Sequence, residues 1–271
     1  MIFPYTVDVP MARVPFANWG LMAVTSLVSI AILLGVGASS DRPTFVQRQD
    51  ALRKVIDEKT TREERDKALE ILARDETDPI YPLALRPSAF SLTQLLSYVF
   101  VHADLWHLLG NMGFLFVFGN AVNAKVGHGW FLGFYFVLGM LAGLAWLVLG
   151  RGQPMVGASG AIMGIVGIFL VLFPNNEVSC WWSFGWWYYG ETHVPSWLLI
   201  VFYFGCDLFG AIYGGGGTVA YISHLAGAMG GITLATTLVA NGWYKPTRYE
   251  ENLLQTLGFK ESRRGKRLEE V

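Results

Sequence analysis

Outside residues 41–86 and 245–270, the sequence carries only eight charged side chains. The other 33 fall inside those two segments, 21 in the first and 12 in the second. A soluble domain spreads charge over its whole surface and carries roughly 25% charged residues. Here the figure is 15%, against 53% apolar. The pattern is that of a polytopic membrane protein with two water-exposed segments. A spanning helix takes about 20 apolar residues. Six stretches qualify: 18–38, 104–124 (preceded by an apolar run from Ser88), 129–150, 157–173, 197–213 and 218–240.

The charged segment after the first span reads as helical. Ala51, Leu52, Val55 and Ile56 recur at helical spacing, and Thr61 with Glu64 forms a capping-box pattern ahead of Ala68, Leu69, Ile71 and Leu72. Two short amphipathic helices are expected outside the bilayer, ended by Pro79, Pro82 and Pro87. The chain therefore divides into an N-terminus with the first span (1–40), a charged helical insertion (41–87), a core holding spans two to six (88–242), and a charged tail (243–271) with one short helix near 251–257.

Orientation follows from Lys and Arg flanking the spans. The tail holds Lys245, Arg248, Lys260, Arg263, Arg264, Lys266 and Arg267, which places the C-terminus in the cytoplasm. Six spans then return the N-terminus to the same side, in a bacterial-type inner (plasma) membrane. Lys125 falls in a cytoplasmic turn, while the first loop, the Arg151 turn and the Gly214–Gly217 turn face outside. With a net charge of −1, nucleic acid is not an expected partner, and Cys180 and Cys206 form no metal or disulfide pattern. No cofactor is called for. The start of the chain has no basic, signal-like segment, so the first span is expected to remain in place.

Polar residues inside apolar spans are costly, so each is a candidate for function. Ser159, in Gly157-Ala158-Ser159-Gly160, follows a Pro154–Gly157 turn and opens the fourth span. A helix start offers unpaired N–H groups and a positive dipole end, both suited to an oxyanion. Flanking glycines allow close backbone approach. Ser159 could equally be an N-cap or a packing residue. His224, in the sixth span, has the chemistry of a general base, or of an imidazole bonded to a backbone carbonyl. Small residues at helical spacing, Gly157, Gly160, Ala161 and Gly164 in the fourth span and Ser223, Gly227 and Gly231 in the sixth, would let these two helices meet closely. Both run inward from outside, with Ser159 and His224 at similar depth. His107 and Asn111, four apart, share one helix face and could complete an oxyanion hole with the Ser159 N–H, or form an interhelical polar clamp. His102 lies just before that helix.

Taken together, His102-Ala-Asp-Leu-Trp-His107-Leu-Leu-Gly-Asn111, the Gly157–Gly160 string, and His224 followed by Gly227 and Gly231 resemble the rhomboid family over roughly residues 88–240. The resemblance implies a six-helix all-α bundle and an intramembrane serine endopeptidase. Ser159 and His224 would form its catalytic dyad, Asn111 and His107 would stabilise the oxyanion, and His102 would support them or bind water. Gly157, Gly160 and Gly227 would be supporting positions. Met163 stands where the family often has a tyrosine stacking on the histidine. Asn120 or Asn123 stands where an acidic residue is frequent. Asp207, in the fifth span, is placed by this topology on the side of the membrane away from the site, so no third triad member is expected.

The implied partners are transmembrane protein substrates and the lipid bilayer, with a regulatory partner for residues 46–76. Two rival readings remain: a catalytically inactive rhomboid-like binding factor, and a small carrier using His107, His224 and Asp207. The inactive binding factor would be favoured by loss of serine or histidine, yet both are present. The carrier would be favoured by broken-helix symmetry between two halves, which the sequence does not display.

Overall fold

The apolar stretches fold into helices whose ends follow the local chain chemistry. A computed structural model describes residues 2–34, 45–57, 59–73, 82–150, 152–184, 187–213, 219–244 and 251–259. Five helices are long and apolar enough to cross a membrane: α1 (Phe16–Leu33), α4 (Leu105–Val126), α5 (His128–Leu149), α7 (Ser196–Tyr213) and α8 (Tyr221–Ala240). A sixth apolar helix, α6 (Ser159–Leu172), is shorter. The chain is a mostly helical, polytopic membrane protein. In place of the expected span 157–173, residues 157–158 are non-helical and the helix has 14 residues.

α6 is the axis of the bundle. Every residue from Gly160 to Leu172 is buried, whereas α1, α7 and α8 bury only one side. A helix apolar all round is a helix surrounded by others. The small faces of α6 and α8 do meet. A Cβ on Gly227 would collide with the Gly160 carbonyl, and one on Gly231 with the Gly164 carbonyl. On the other side of α6, a Cβ on Gly164 would lie 2.7 Å from Leu138 Cβ of α5. Glycine at these positions sets how closely the backbones approach.

Within α4, residues Leu115–Gly119 widen to a π-helical turn. Widening frees a carbonyl from the regular ladder. The Asn18 side chain, from α1, donates to Leu115 O at 2.8 Å and to Asn120 Oδ1 at 2.8 Å. Asn123 Oδ1 accepts the Asn18 backbone N–H. Asn120 and Asn123 therefore form part of a buried amide cluster that ties α1 to α4.

The charged segment forms α2 (Phe45–Ile56) and α3 (Arg62–Ala73), which pack on each other with Ala51 and Ala68 buried between them. The expected capping box is present: Glu64 N–H donates to Thr61 Oγ1, and Thr61 N–H donates to the Glu64 carboxylate. The Thr61 hydroxyl, donating to the same carboxylate at 2.7 Å, and then the Thr61 N–H hold the Glu64 carboxyl below its usual range. The tail contributes α9 (Leu253–Thr256), capped by Asn252. The tail's seven basic residues, Arg151, Pro79 and the Gly214–Gly217 turn lie outside the described residues.

One element has no counterpart in the sequence reading. Strands β1 (Ile2–Val7), β2 (Glu177–Phe184) and β3 (Tyr188–Pro195) form an antiparallel sheet in the order β1-β2-β3. Pro4 sits on the edge strand β1, where its missing N–H costs least, and the register slips between Pro4 and Thr6. Val178 and Cys180 are buried against the bundle, while Trp181, Phe184, Tyr188 and Tyr189 are exposed. β3 runs directly into α7, so the sheet sits at the membrane boundary, where Trp and Tyr are at home.

Candidate active site

The chain ahead of α6 is held on three sides before Ser159 is reached. Leu85 and Met155 exchange both backbone hydrogen bonds at 2.9 Å, and Gly157 N–H donates to Tyr98 O at 3.0 Å. Ala158 N–H donates to His102 Nε2 at 3.4 Å. Gly157 has φ +120°, a conformation L side chains rarely adopt, and a Cβ there would lie 2.8 Å from His107 Cε1. Both facts require glycine, for turning the chain into the helix and for admitting the imidazole.

The Ser29 hydroxyl, from α1, donates to Phe100 O at 2.8 Å, so its oxygen accepts from His102 Nδ1–H at 2.9 Å. That leaves Nε2 as the acceptor for Ala158 N–H. Burial pushes the His102 pKa well down, which keeps the ring neutral and this pattern intact. His102 thus links α1 to the residue before Ser159, and its ring meets His107 edge-on at 5.0 Å.

Ser159 is the first residue of α6. N–H groups of a helix's first turn have no partner within the helix. Its Oγ lies 2.8 Å from His224 Nε2. A helix of 14 residues is about 21 Å long at 1.5 Å per residue. That is about 9 Å short of a hydrocarbon core ~30 Å thick. With the other end of α6 continuing into the sheet at the membrane boundary, Ser159 lies recessed below the opposite surface.

His107 stands in the first turn of α4, where Asp104, the N-cap, accepts the His107 N–H at 2.8 Å. Asn111 is buried, and its amide donates to His107 O at 2.9 Å. One amide hydrogen is thereby used to fix the side chain, and the second remains. Gly160 fits because a Cβ there would lie 2.8 Å from Ser223 Oγ. Ser223 in turn donates to Ala142 O of α5. Met163 is buried one turn beyond Ser159. The aromatic ring beside His224 is Tyr221, one turn earlier on α8, edge-on at 6.5 Å.

The expectation for Asp207 is corrected. Its Oδ1 lies 3.0 Å from His224 Nδ1, with the two side chains 13% and 15% exposed. α7 and α8 are consecutive antiparallel helices. Asp207 lies six residues before the end of α7, about 9 Å, and His224 three residues into α8, about 4.5 Å. Both are therefore at the same end of the bundle, beside the turn that joins α7 to α8. The signal was present in the sequence: an acidic residue and a histidine within two helical turns of the same connection, one on either side of it. Ser29 and Asn18 were also missed, because single polar residues in a first span carry no spacing pattern.

A serine hydroxyl donating to an imidazole nitrogen at a helix start is the arrangement that activates a nucleophile by general base. Among the described residues no group of three or more His, Cys, Asp or Glu is placed to hold a metal ion.

Residues 89–241 match the model of the Rhomboid domain. Rhomboid-like protein 11, chloroplastic, of Arabidopsis thaliana is 34% identical over 154 residues, covering 54% of this chain and 52% of that protein. Rhomboid protein 1, mitochondrial, of Saccharomyces cerevisiae is 32% identical over 104 residues, 36% of this chain and 30% of the relative. Rhomboid-related protein 2 of Mus musculus is 26% identical over 152 residues, 54% and 47% respectively. The matched stretch spans about half the length of these relatives, or less.

Proposed function

Given that the chain belongs to the rhomboid family, we propose that it is an intramembrane serine endopeptidase, with Ser159 as nucleophile and His224 as general base. The observation that carries this reading is the 2.8 Å hydrogen bond between Ser159 Oγ and His224 Nε2 at the recessed start of α6. The substrates are transmembrane proteins, cleaved near the extracytoplasmic end of a membrane helix that has unwound enough to expose a peptide carbonyl.

In the first half-reaction His224 Nε2 takes the Ser159 proton as Oγ bonds to the scissile carbonyl carbon. The oxygen becomes an oxyanion, met by the first-turn N–H of α6, the free Asn111 amide hydrogen and His107. Collapse breaks the C–N bond, and the imidazolium gives its proton to the departing amine. Water then repeats the sequence on the acyl-enzyme, with His224 again accepting and returning one proton, and Ser159 is regenerated. Such chemistry needs water to reach Ser159 through a cavity bounded by protein.

Both termini lie in the cytoplasm of a bacterial-type inner membrane in this reading, so the site opens to the opposite face. Residues 88–242 form the proteolytic core and 41–87 a recruitment or regulatory insertion. A fluorophosphonate probe tests the reaction class. The wild-type protein should label and cut a model transmembrane substrate, and Ser159→Ala should do neither while remaining folded. Cleavage by Ser159→Ala at the wild-type rate would refute the proposal. A folded wild-type protein that neither labels nor cleaves would instead indicate a rhomboid-like binding factor.

A further inference from the structure

Among the described residues around Ser159 and His224, one largely buried carboxylate has no part in the dyad chemistry. Asp207 faces His224 from α7 at 3.0 Å and is largely buried. α7 places it with Gly210 one turn on, and a Cβ at Gly210 would collide with the Tyr221 ring of α8. The absence of a side chain at Gly210 is what lets α7 lie close enough for the carboxylate to reach the imidazole.

We propose that Asp207 is a positioning residue that turns the dyad into a Ser159–His224–Asp207 relay of hydrogen bonds; the inference rests on the reading of Ser159 and His224 as the catalytic pair. An ionised carboxylate only accepts hydrogen bonds, so the His224 proton sits on Nδ1 and points at Asp207. The lone pair is then on Nε2, facing the Ser159 hydroxyl. Without that acceptor the neutral ring is free to carry its proton on Nε2, and in that tautomer it cannot act as base. When Nε2 takes the serine proton, Nδ1–H continues to donate to Asp207. No proton passes to Asp207, whose carboxylate oxygen lies 3.0 Å from Nδ1 and faces the imidazolium. The ring is then held from two helices at once, by α6 through Ser159 and by α7 through Asp207.

The test compares Asp207→Asn, Asp207→Ala and Asp207→Glu in the full chain in proteoliposomes, with Ser159→Ala and His224→Ala as references. Activity in either reference variant sinks the dyad itself, independently of Asp207. With the dyad intact, Asp207→Asn should lose ~10²-fold or more in kcat, less than the ~10⁴-fold seen for the equivalent change in a fully buried triad. KM and the thermal midpoint should change little. Asp207→Asn should be at least as impaired as Asp207→Ala, because its amide can donate to Nδ1 and hold the wrong tautomer. Asp207→Glu should recover part of the loss. The rate of fluorophosphonate labelling per folded molecule should follow kcat, since it reads Ser159 reactivity without a substrate helix. Wild-type kcat in Asp207→Asn would overturn the proposal. So would a fall of kcat and thermal midpoint together in all three variants with labelling per folded molecule unchanged, which would make Asp207 only a tie between α7 and α8.

Discussion

Replacing Gly227 by alanine adds one methyl group where the bundle has no room for it. The new Cβ would fall on the Gly160 carbonyl oxygen, backbone against backbone. No rotamer change can relieve that contact. Moving the atoms to an ordinary separation of about 3.5 Å requires α8 to shift from α6 by about 1 Å or more. Gly160 adjoins Ser159, and Gly227 is one helical turn from His224, so the shift appears almost undiminished between Oγ and Nε2. The 2.8 Å hydrogen bond would stretch beyond 3.5 Å, where it no longer qualifies as one. Overpacking of this kind costs about 1–3 kcal/mol in stability. A misplacement of ~1 Å at a reacting centre costs about 10²-fold in rate. Gly227→Ala should therefore lower kcat by about 10²-fold and reduce the thermal midpoint, with Gly227→Leu worse on both counts. Gly133→Ala on α5 is the control, because nothing lies within 4 Å of a Cβ there. It should keep full activity and gain up to ~1 kcal/mol from helix propensity. The assays are cleavage of a transmembrane substrate in proteoliposomes and thermal unfolding in detergent. Wild-type activity and stability in Gly227→Ala would refute the argument that the α6–α8 backbone approach sets the site geometry.

Asn111→Ala should reduce kcat by about 10-fold to 10²-fold, at or below the ~10²–10³-fold usual for one oxyanion donor, because His107 and the α6 N–H groups remain; an unchanged kcat would assign Asn111 to packing. Replacing residues 46–76 by a short Gly/Ser linker should leave fluorophosphonate labelling of Ser159 intact while weakening cleavage of the natural substrate. Loss of labelling in a folded variant would make the insertion part of the site. Cysteine placed at Ser40 should react with an impermeant thiol reagent added outside the cell, and cysteine at Gly242 should not. The reverse result would invert the topology.

How much of this protein can be read without its structure depends on the range of each interaction. Spans are a property of contiguous composition, so α1, α4, α5, α7 and α8 fall within a few residues of the apolar stretches. The Thr61–Glu64 box is local and was legible for the same reason. Small residues at helical spacing announce a close helix contact, and Gly160, Gly227 and Gly231 make one. Ser159 and His224 stood out because a polar group in a span needs a cause.

What the sequence could not decide are the contacts whose partners share no pattern. Strand β1 pairs with residues more than 160 positions away, and an edge strand of six residues gives no signal of its mate. Ser29 reaches His102, and Asn18 reaches the amides of α4, only because α1 packs at one particular rotation. The length of α6 was likewise open, since Gly157 and Ala158 are apolar enough for a span and leave the helix only through φ +120° at Gly157 and the backbone pairing of Met155 with Leu85. Asp207 is the clearest case. Its depth was computable from helix rise, but its direction was not. A rotation of α7 by half a turn would aim the same carboxylate at lipid. The packing of Gly210 against Tyr221 fixes that rotation, and with it the partner of the His224 imidazole.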